Sequence, residues 1–162
     1  MSEQPTPHGF SHLDASGAAT MVNVGFKPDL QRIAHASCSV LCQPSTIEAL
    51  RKAALPKGDV LTIAKVAGIQ AAKRTDSLIP LCHSLPLHSV SITFNVLDNA
   101  IEIHTEVSTT AKTGVEMEAL TAASIAALTI YDMCKAVDKT MIINGLHVTK
   151  KEKIPISDSL QK

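Results

Sequence analysis

Residues 89–107 read SVSITFNVLDNAIEIHTEV. Val90, Ile92, Phe94 and Val96 alternate with Ser91, Thr93 and Asn95. Ile101, Ile103 and Val107 alternate with Glu102, His104 and Glu106. A period of two puts one set on a buried face and the other towards water, the pattern of a half-buried strand. Asp98-Asn99 between the runs is a turn signal, so the stretch predicts a β-hairpin.

Upstream, Ala34, Ala36, Cys38 and Val40 alternate with His35, Ser37 and Ser39, which predicts a strand over Ile33 to Cys42. Met21 to Val24 reads as a short edge strand. In PSTIEALRKAAL, Ser45 and Glu48 have the spacing of a capping box opening a short helix. Asp59 reads as the N-cap of a second helix reaching about Lys73, with only Gly68 against it. After the hairpin, a long helix is predicted from about Val115 to Val137. A last strand follows near Met141 to Thr149. The order β-α-β-β-α-β is that of an α+β, ferredoxin-like domain: an antiparallel sheet, two main helices on one face, and a short extra helix. The expected organisation is a mobile arm over 1–20, one domain over 21–151 and a frayed tail over 152–162.

Composition narrows the function. The chain has 162 residues and a formal net charge of zero, without the basic excess of a nucleic-acid or membrane-surface binder. Phe10, Phe26, Phe94 and Tyr131 are its only aromatics, too few for a base-stacking platform. MSEQPTPHGF has neither the basic nor the apolar run of a secretory signal. The most apolar segment, Ala119 to Tyr131, is too short to span a bilayer. The expectation is a soluble, cytoplasmic protein. Four cysteines (Cys38, Cys42, Cys82, Cys134) do not make a disulfide framework in a chain of this length. On one strand Cys38 and Cys42 would lie about 13 Å apart, too far for one metal ion.

Three places hold candidate chemistry. LIPLCHSLPLH at 78–88 sets Cys82 and His83 between Pro80 and Pro86, which break regular structure. Packing, a metal site and a substrate loop are all open readings of it. The long helix carries Glu116 and Glu118 in its first turn, where its dipole favours anions, and Asp132 and Lys135 on one face at its far end. Its middle is Ala, Thr, Ser, Leu and Ile with no wide polar face, which suggests a subunit interface as well as a core. A lysine on that stripe would be partly desolvated, with a lowered pKa. Lys57, Lys73, Arg74, His83 and Lys135 would make an anion site if they converge. No Gly-rich phosphate loop is present.

KGDVLTIAKVAGIQAAKRTDSLIPLCHSLPL and KTGVEMEALTAASIAALTIYDMCKAVDK, with FSHLDASGAATMV near the start, closely resemble the cyclic pyranopterin monophosphate synthases, or molybdenum cofactor biosynthesis protein C family. The resemblance spans roughly residues 10 to 151. It implies a ferredoxin-like fold and a homohexamer built as a trimer of dimers, with sites at subunit contacts. It also implies a lyase that acts after a radical S-adenosylmethionine enzyme has cyclised GTP. Such a lyase converts the cyclised dihydro-GTP intermediate into cyclic pyranopterin monophosphate and releases pyrophosphate.

Carried onto this sequence, the resemblance makes Asp132 the acid/base, with Lys57 and Lys135 as basic partners. It makes Leu81, Cys82, His83, Met117, Glu118 and Glu116 substrate contacts, and Arg32 and Lys73 further cations. Ser84 stands where the family has Pro, and Asn23 where it has Asp. KEKIPISDSLQK replaces a Gly-rich tail, although Lys151 fits the lysine before it. No metal or other cofactor is expected, while a divalent ion such as magnesium on the phosphates stays open. The alternatives are a non-enzymatic nucleotide-binding regulatory module and a metal hydrolase using His83 and His88. Zinc would want three or four ligands, and no clear third is present.

Overall fold

A computed structural model describes residues 17–156. In chain order the elements are β1 (Leu30–Leu41), α1 (Pro44–Arg51), α2 (Val60–Ala72), α3 (Thr75–Leu78), β2 (Ser89–Val96), β3 (Ala100–Ala111), α4 (Glu116–Cys134) and β4 (Ile142–Pro155). The hairpin forms as its alternation requires, with Val96 opposite Ile101 and Val90 opposite Val107. The four strands make one antiparallel sheet in the order β2-β3-β1-β4. With α2 and α4 packed on it, this is the expected ferredoxin-like arrangement.

The β1 alternation is realised residue by residue: Ala34, Ala36, Cys38 and Val40 are buried, while His35, Ser37 and Ser39 lie on the other face. Ile92, Ile101 and Ile103 join Ala122, Ala123, Ala126 and Ile130 of α4 in the main core. A second cluster of Ala34, Ala36, Val107, Val115 and Ala119 is covered by Leu85 and Leu87 of the proline loop. That packing explains the apolar character of the loop: it caps one end of the sheet and presents Cys82 and His83 beside the start of α4.

Several boundaries differ from the sequence expectation. Met21 to Val24 is not a strand. The box at Ser45 and Glu48 does not form, because Pro44, preorganised for the first helical position, shifts the N-cap to Gln43. Asp59 caps α2 as expected, accepting the Thr62 N–H at 3.1 Å. The strand near Met141 to Thr149 continues to Pro155, so residues 152–155 of the expected frayed tail are paired. Glu152, Lys153, Ile154 and Pro155 lie opposite Ile33, Arg32, Gln31 and Leu30. The charged run hid this extension, since an edge strand partnered on one side needs no apolar alternation. Residues 1–16 of the expected arm and 157–162 of the tail lie outside the described residues.

Candidate active site

At the C-terminal end of α4, Asp132 is held between two lysines. Lys135, one turn on, places Nζ 2.7 Å from Asp132 Oδ1. Lys57, from the loop before α2, places Nζ 2.7 Å from Oδ2 and 3.1 Å from the Asp132 carbonyl. The hydrogen bond from Lys135, then that from Lys57, holds the Asp132 carboxyl down at about 2. The same contact raises the Lys135 pKa. This reverses the lowered pKa expected for that lysine, because its neighbour is an anion and its side chain is half exposed.

At the N-terminal end of α4, the proline loop and the helix enclose a cavity of about 340 Å³, lined by Leu81, Cys82, His83, Glu116, Met117 and Glu118 together with Lys27. The His83 Nε2–H donates to the Val22 carbonyl at 2.8 Å. Glu118 is only 4% exposed; burial, then Glu116 and Asp76, raises its pKa. Burial, then Glu118 and Asp76, raises the Cys82 thiol, which keeps it neutral and unlike a metal-ligating thiolate. Among the described residues, no group of three His, Cys, Asp or Glu side chains is placed to hold a metal ion.

An adjoining hollow of about 380 Å³ shares Lys27 and Glu116 with this cavity and adds Arg32, Lys112, Lys151 and Lys153. Arg32 is 7% exposed and fixed by the carbonyls of Ala111 and Lys112 at 3.3 and 3.2 Å. Lys112 Nζ bonds the Gly25 carbonyl at 2.6 Å, and Lys151 lies 3.4 Å from Glu116. Five cations against Glu116 and Glu152 make this the cationic side of the domain's end. The sequence reading missed Lys27, Lys112 and Lys153. Lys112 opens the KTGVEM stretch, but nothing local marks it as turned towards Arg32 from the end of β3.

Predicted residues thus fall into two groups. Leu81, Cys82, His83, Glu116, Met117 and Glu118 meet at one end of α4, with Arg32 adjoining, while Asp132, Lys57 and Lys135 meet at the other. Lys73 joins neither; it lines a separate hollow with His88 and Pro86. The convergence of Lys73 and His83 with Lys57 and Lys135 that one shared anion site would need does not occur within one chain. Glu118 and Asp132 are fourteen positions apart, about 21 Å along the helix.

A ferredoxin-like α+β domain with a carboxylate clamped by two lysines at one end of a helix and a cationic hollow at the other has the groups that an enzyme acting on a small anionic molecule would use. The model of the MoaC family matches residues 21–153, and the chain belongs to that family. It is 57% identical over 143 residues to a cyclic pyranopterin monophosphate synthase of Chloroflexus aggregans, covering 87% of each chain. It is 54% identical over 145 residues to one from Oleidesulfovibrio alaskensis, covering 88% of this chain and 91% of that one. A molybdenum cofactor biosynthesis bifunctional protein of Chlorobaculum tepidum is 54% identical over 142 residues, 88% of this chain and 46% of the longer protein. Among the described residues no helix is long and apolar enough to cross a membrane.

Proposed function

We propose that this chain is a cyclic pyranopterin monophosphate synthase of molybdenum cofactor biosynthesis. It takes the cyclised dihydro-GTP that a radical S-adenosylmethionine enzyme supplies and releases pyrophosphate. The observation that carries the reading is Asp132 fixed between Lys57 and Lys135, in a fold whose other helix end presents a cationic cavity. A regulatory nucleotide-binding module would use the cations, but has no need of a carboxylate clamped by two lysines.

The chemistry divides between the two ends. Forming a cyclic monophosphate from a triphosphate requires a hydroxyl of the substrate to attack the α-phosphorus. The P–O bond to the β-phosphate breaks, and pyrophosphate leaves with that electron pair. Lys27, Arg32, Lys112, Lys151 and Lys153 offer charge to the phosphates, where paired cations act most strongly. Asp132 and its lysines offer proton acceptor and donors for the ring rearrangement. His83 and Glu118 are the polar groups of the cavity that would face the heterocycle. The protein works in the cytoplasm, and a divalent ion such as magnesium on the phosphates is compatible with this division.

One substrate of nucleotide size cannot touch both ends of α4, so each site takes Asp132 from one subunit and Glu118 from its neighbour. Leu128, 53% exposed, and the half-buried Ser124, Ile125 and Thr129 give α4 a face that a second copy would cover. A two-fold contact makes such sites in pairs, and three such dimers would complete a hexamer.

The test supplies GTP and the upstream radical enzyme, and looks for a pterin product and pyrophosphate that appear only with this protein. No product would reject the assignment. In the same assay Glu118→Ala chains and Asp132→Ala chains are each expected to be inactive. Refolded together they should regain activity, because one site in each mixed dimer carries neither lesion. Verified hybrids that stay inactive would end the shared-site reading.

His83→Ala is expected to lower kcat/KM about two- to tenfold, the worth of one neutral hydrogen bond at about 0.5–1.5 kcal/mol. Cys82→Ser should cost less, its thiol being neutral. A zinc ion lost together with activity in Cys82→Ser would replace this reading with a metal site.

A further inference from the structure

Asp138 lies three residues beyond Lys135 and is 1% exposed. Its carboxylate accepts four hydrogen bonds. Oδ2 takes the Gln43 N–H at 2.7 Å and the Thr46 hydroxyl at 3.1 Å; Oδ1 takes the Thr140 N–H at 2.9 Å and its hydroxyl at 2.8 Å. Gln43 is the N-cap of α1 and provides no side-chain cap. The first turn of α1 is therefore capped from across the chain, by an anion placed where the helix dipole favours one.

Burial alone would raise the Asp138 pKa. The hydrogen bonds from Gln43, Thr140 and Thr46 together outweigh that and leave it lowered. The nearby thiols do not compete: burial, then Cys134 and Asp138, pushes Cys42 up to about 12, and Cys134 is raised as well.

The two segments that Asp138 joins are those that carry the acid/base group. On one side, the Val137 and Asp138 N–H groups bond the Cys134 carbonyl, which ties the carboxylate to the turn of α4 that bears Asp132 and Lys135. On the other side, α1 runs directly into the loop that bears Lys57. That loop closes through the Ala54 N–H to the Ala49 carbonyl, with Ala53 at φ 52° and Leu55 buried in the core. Lys57 has no helix of its own, so its reach to Asp132 depends on where α1 sits.

We propose that Asp138 is a positioning residue of the acid/base group: its buried carboxylate clamps α1 to the end of α4 and so sets Lys57 against Asp132. The catalytic consequence rests on the function proposed above; the geometric one does not.

Asp138→Asn in the full chain is the test. Each Asp138 oxygen accepts a backbone N–H, which cannot turn round. Whichever way the amide is set, its NH2 group faces the N–H of Gln43 or of Thr140. One tie must therefore break, though the side chain keeps its shape. The expected result is a kcat lowered by about 10²-fold, the cost of roughly 1 Å of misplacement, with KM little changed.

The Asp132 carboxyl, followed by carbon-13 NMR, should titrate nearer the ordinary value of about 3.9 than in the parent, because Lys57 no longer faces it fully. A destabilised but correctly arranged protein would not show that shift. Thr46→Val should move both readouts the same way by less, and Thr46→Ser should restore them. These two variants decide the matter if Asp138→Asn does not fold. An Asp132 titration identical to the parent's in a folded variant overturns the proposal, whatever the rate. If the parent makes no product, the assigned reaction fails while the titration still tests the clamp.

Discussion

Asp132→Ala is expected to fold normally and to lose product formation by about 10²- to 10⁴-fold, the range for removing a positioned acid or base. Lys57→Ala and Lys135→Ala should fall in the same range. Each lysine meets the Asp132 carboxylate at 2.7 Å and the three act as a unit, so the double variant Lys57→Ala/Asp132→Ala should be little worse than either single one. All three side chains are about half exposed, and surface ion pairs of this kind add little to stability. Their melting temperatures should therefore stay near the parent's, which separates lost chemistry from lost fold. Near-normal turnover by any of the three purified variants would remove that residue from the acid/base group. The depressed carboxyl also has a defined pH window. Any stability linked to Asp132 is present above its unfolded value near 3.9 and is lost progressively as pH falls from there through about 2. Loss of activity between pH 5 and 7 would thus have to come from another group.

Gly68→Ala is expected to destabilise the protein, against the helix scale. Propensity alone favours alanine over glycine by about 1 kcal/mol. Here, however, α2 crosses α4 so closely that a Cβ on Gly68 would lie 2.8 Å from the Ala122 carbonyl oxygen and 2.5 Å from Ile92 Cδ1. The Ile92 end can rotate away; the Ala122 backbone cannot move without shifting α4. Overpacking of this kind costs about 1–3 kcal/mol. At about 2–4 °C per kcal/mol for a chain of this size, the melting temperature should fall by several degrees, and Gly68→Val should fall further. A Gly68→Ala variant that melts at or above the parent would mean that the helices do not approach this closely. Because α4 carries site residues at both ends, the variant should also lose activity, whereas a change at an exposed α2 position such as Gln70→Ala should do neither.

How much could be read without the structure is clearest from particular residues. The hairpin, the buried face of β1, the Asp59 cap and the apolar α4 were legible because each is a local pattern: side chains alternate on a strand, recur on a helix face, or bond a backbone group three residues away. The order of these elements sufficed for the ferredoxin-like class. Asp132 and Lys135 could be paired as well, being one helical turn apart. The ends of elements were less legible. Pro44 moved the helix start two residues ahead of the expected Ser45 cap, to Gln43, and Glu152 and Lys153 in a charged run gave no sign that residues 152–155 would pair with β1.

What only the tertiary structure decided involves distant residues. Lys57 meets Asp132 across 75 positions, and Asp138 caps α1 across 95. Lys73, grouped by sequence with the other cations, lies in a hollow of its own, while Lys27, Lys112 and Lys153 gather around Arg32. The amino-acid sequence by itself determined the strands, the helices and the faces they bury, because hydrophobic periodicity acts within a few residues. Which charges stand together was settled by packing. The distance between two side chains far apart in the chain depends on how α2 seats against α4 at Gly68 and how β1 aligns with β4, and no local pattern records either.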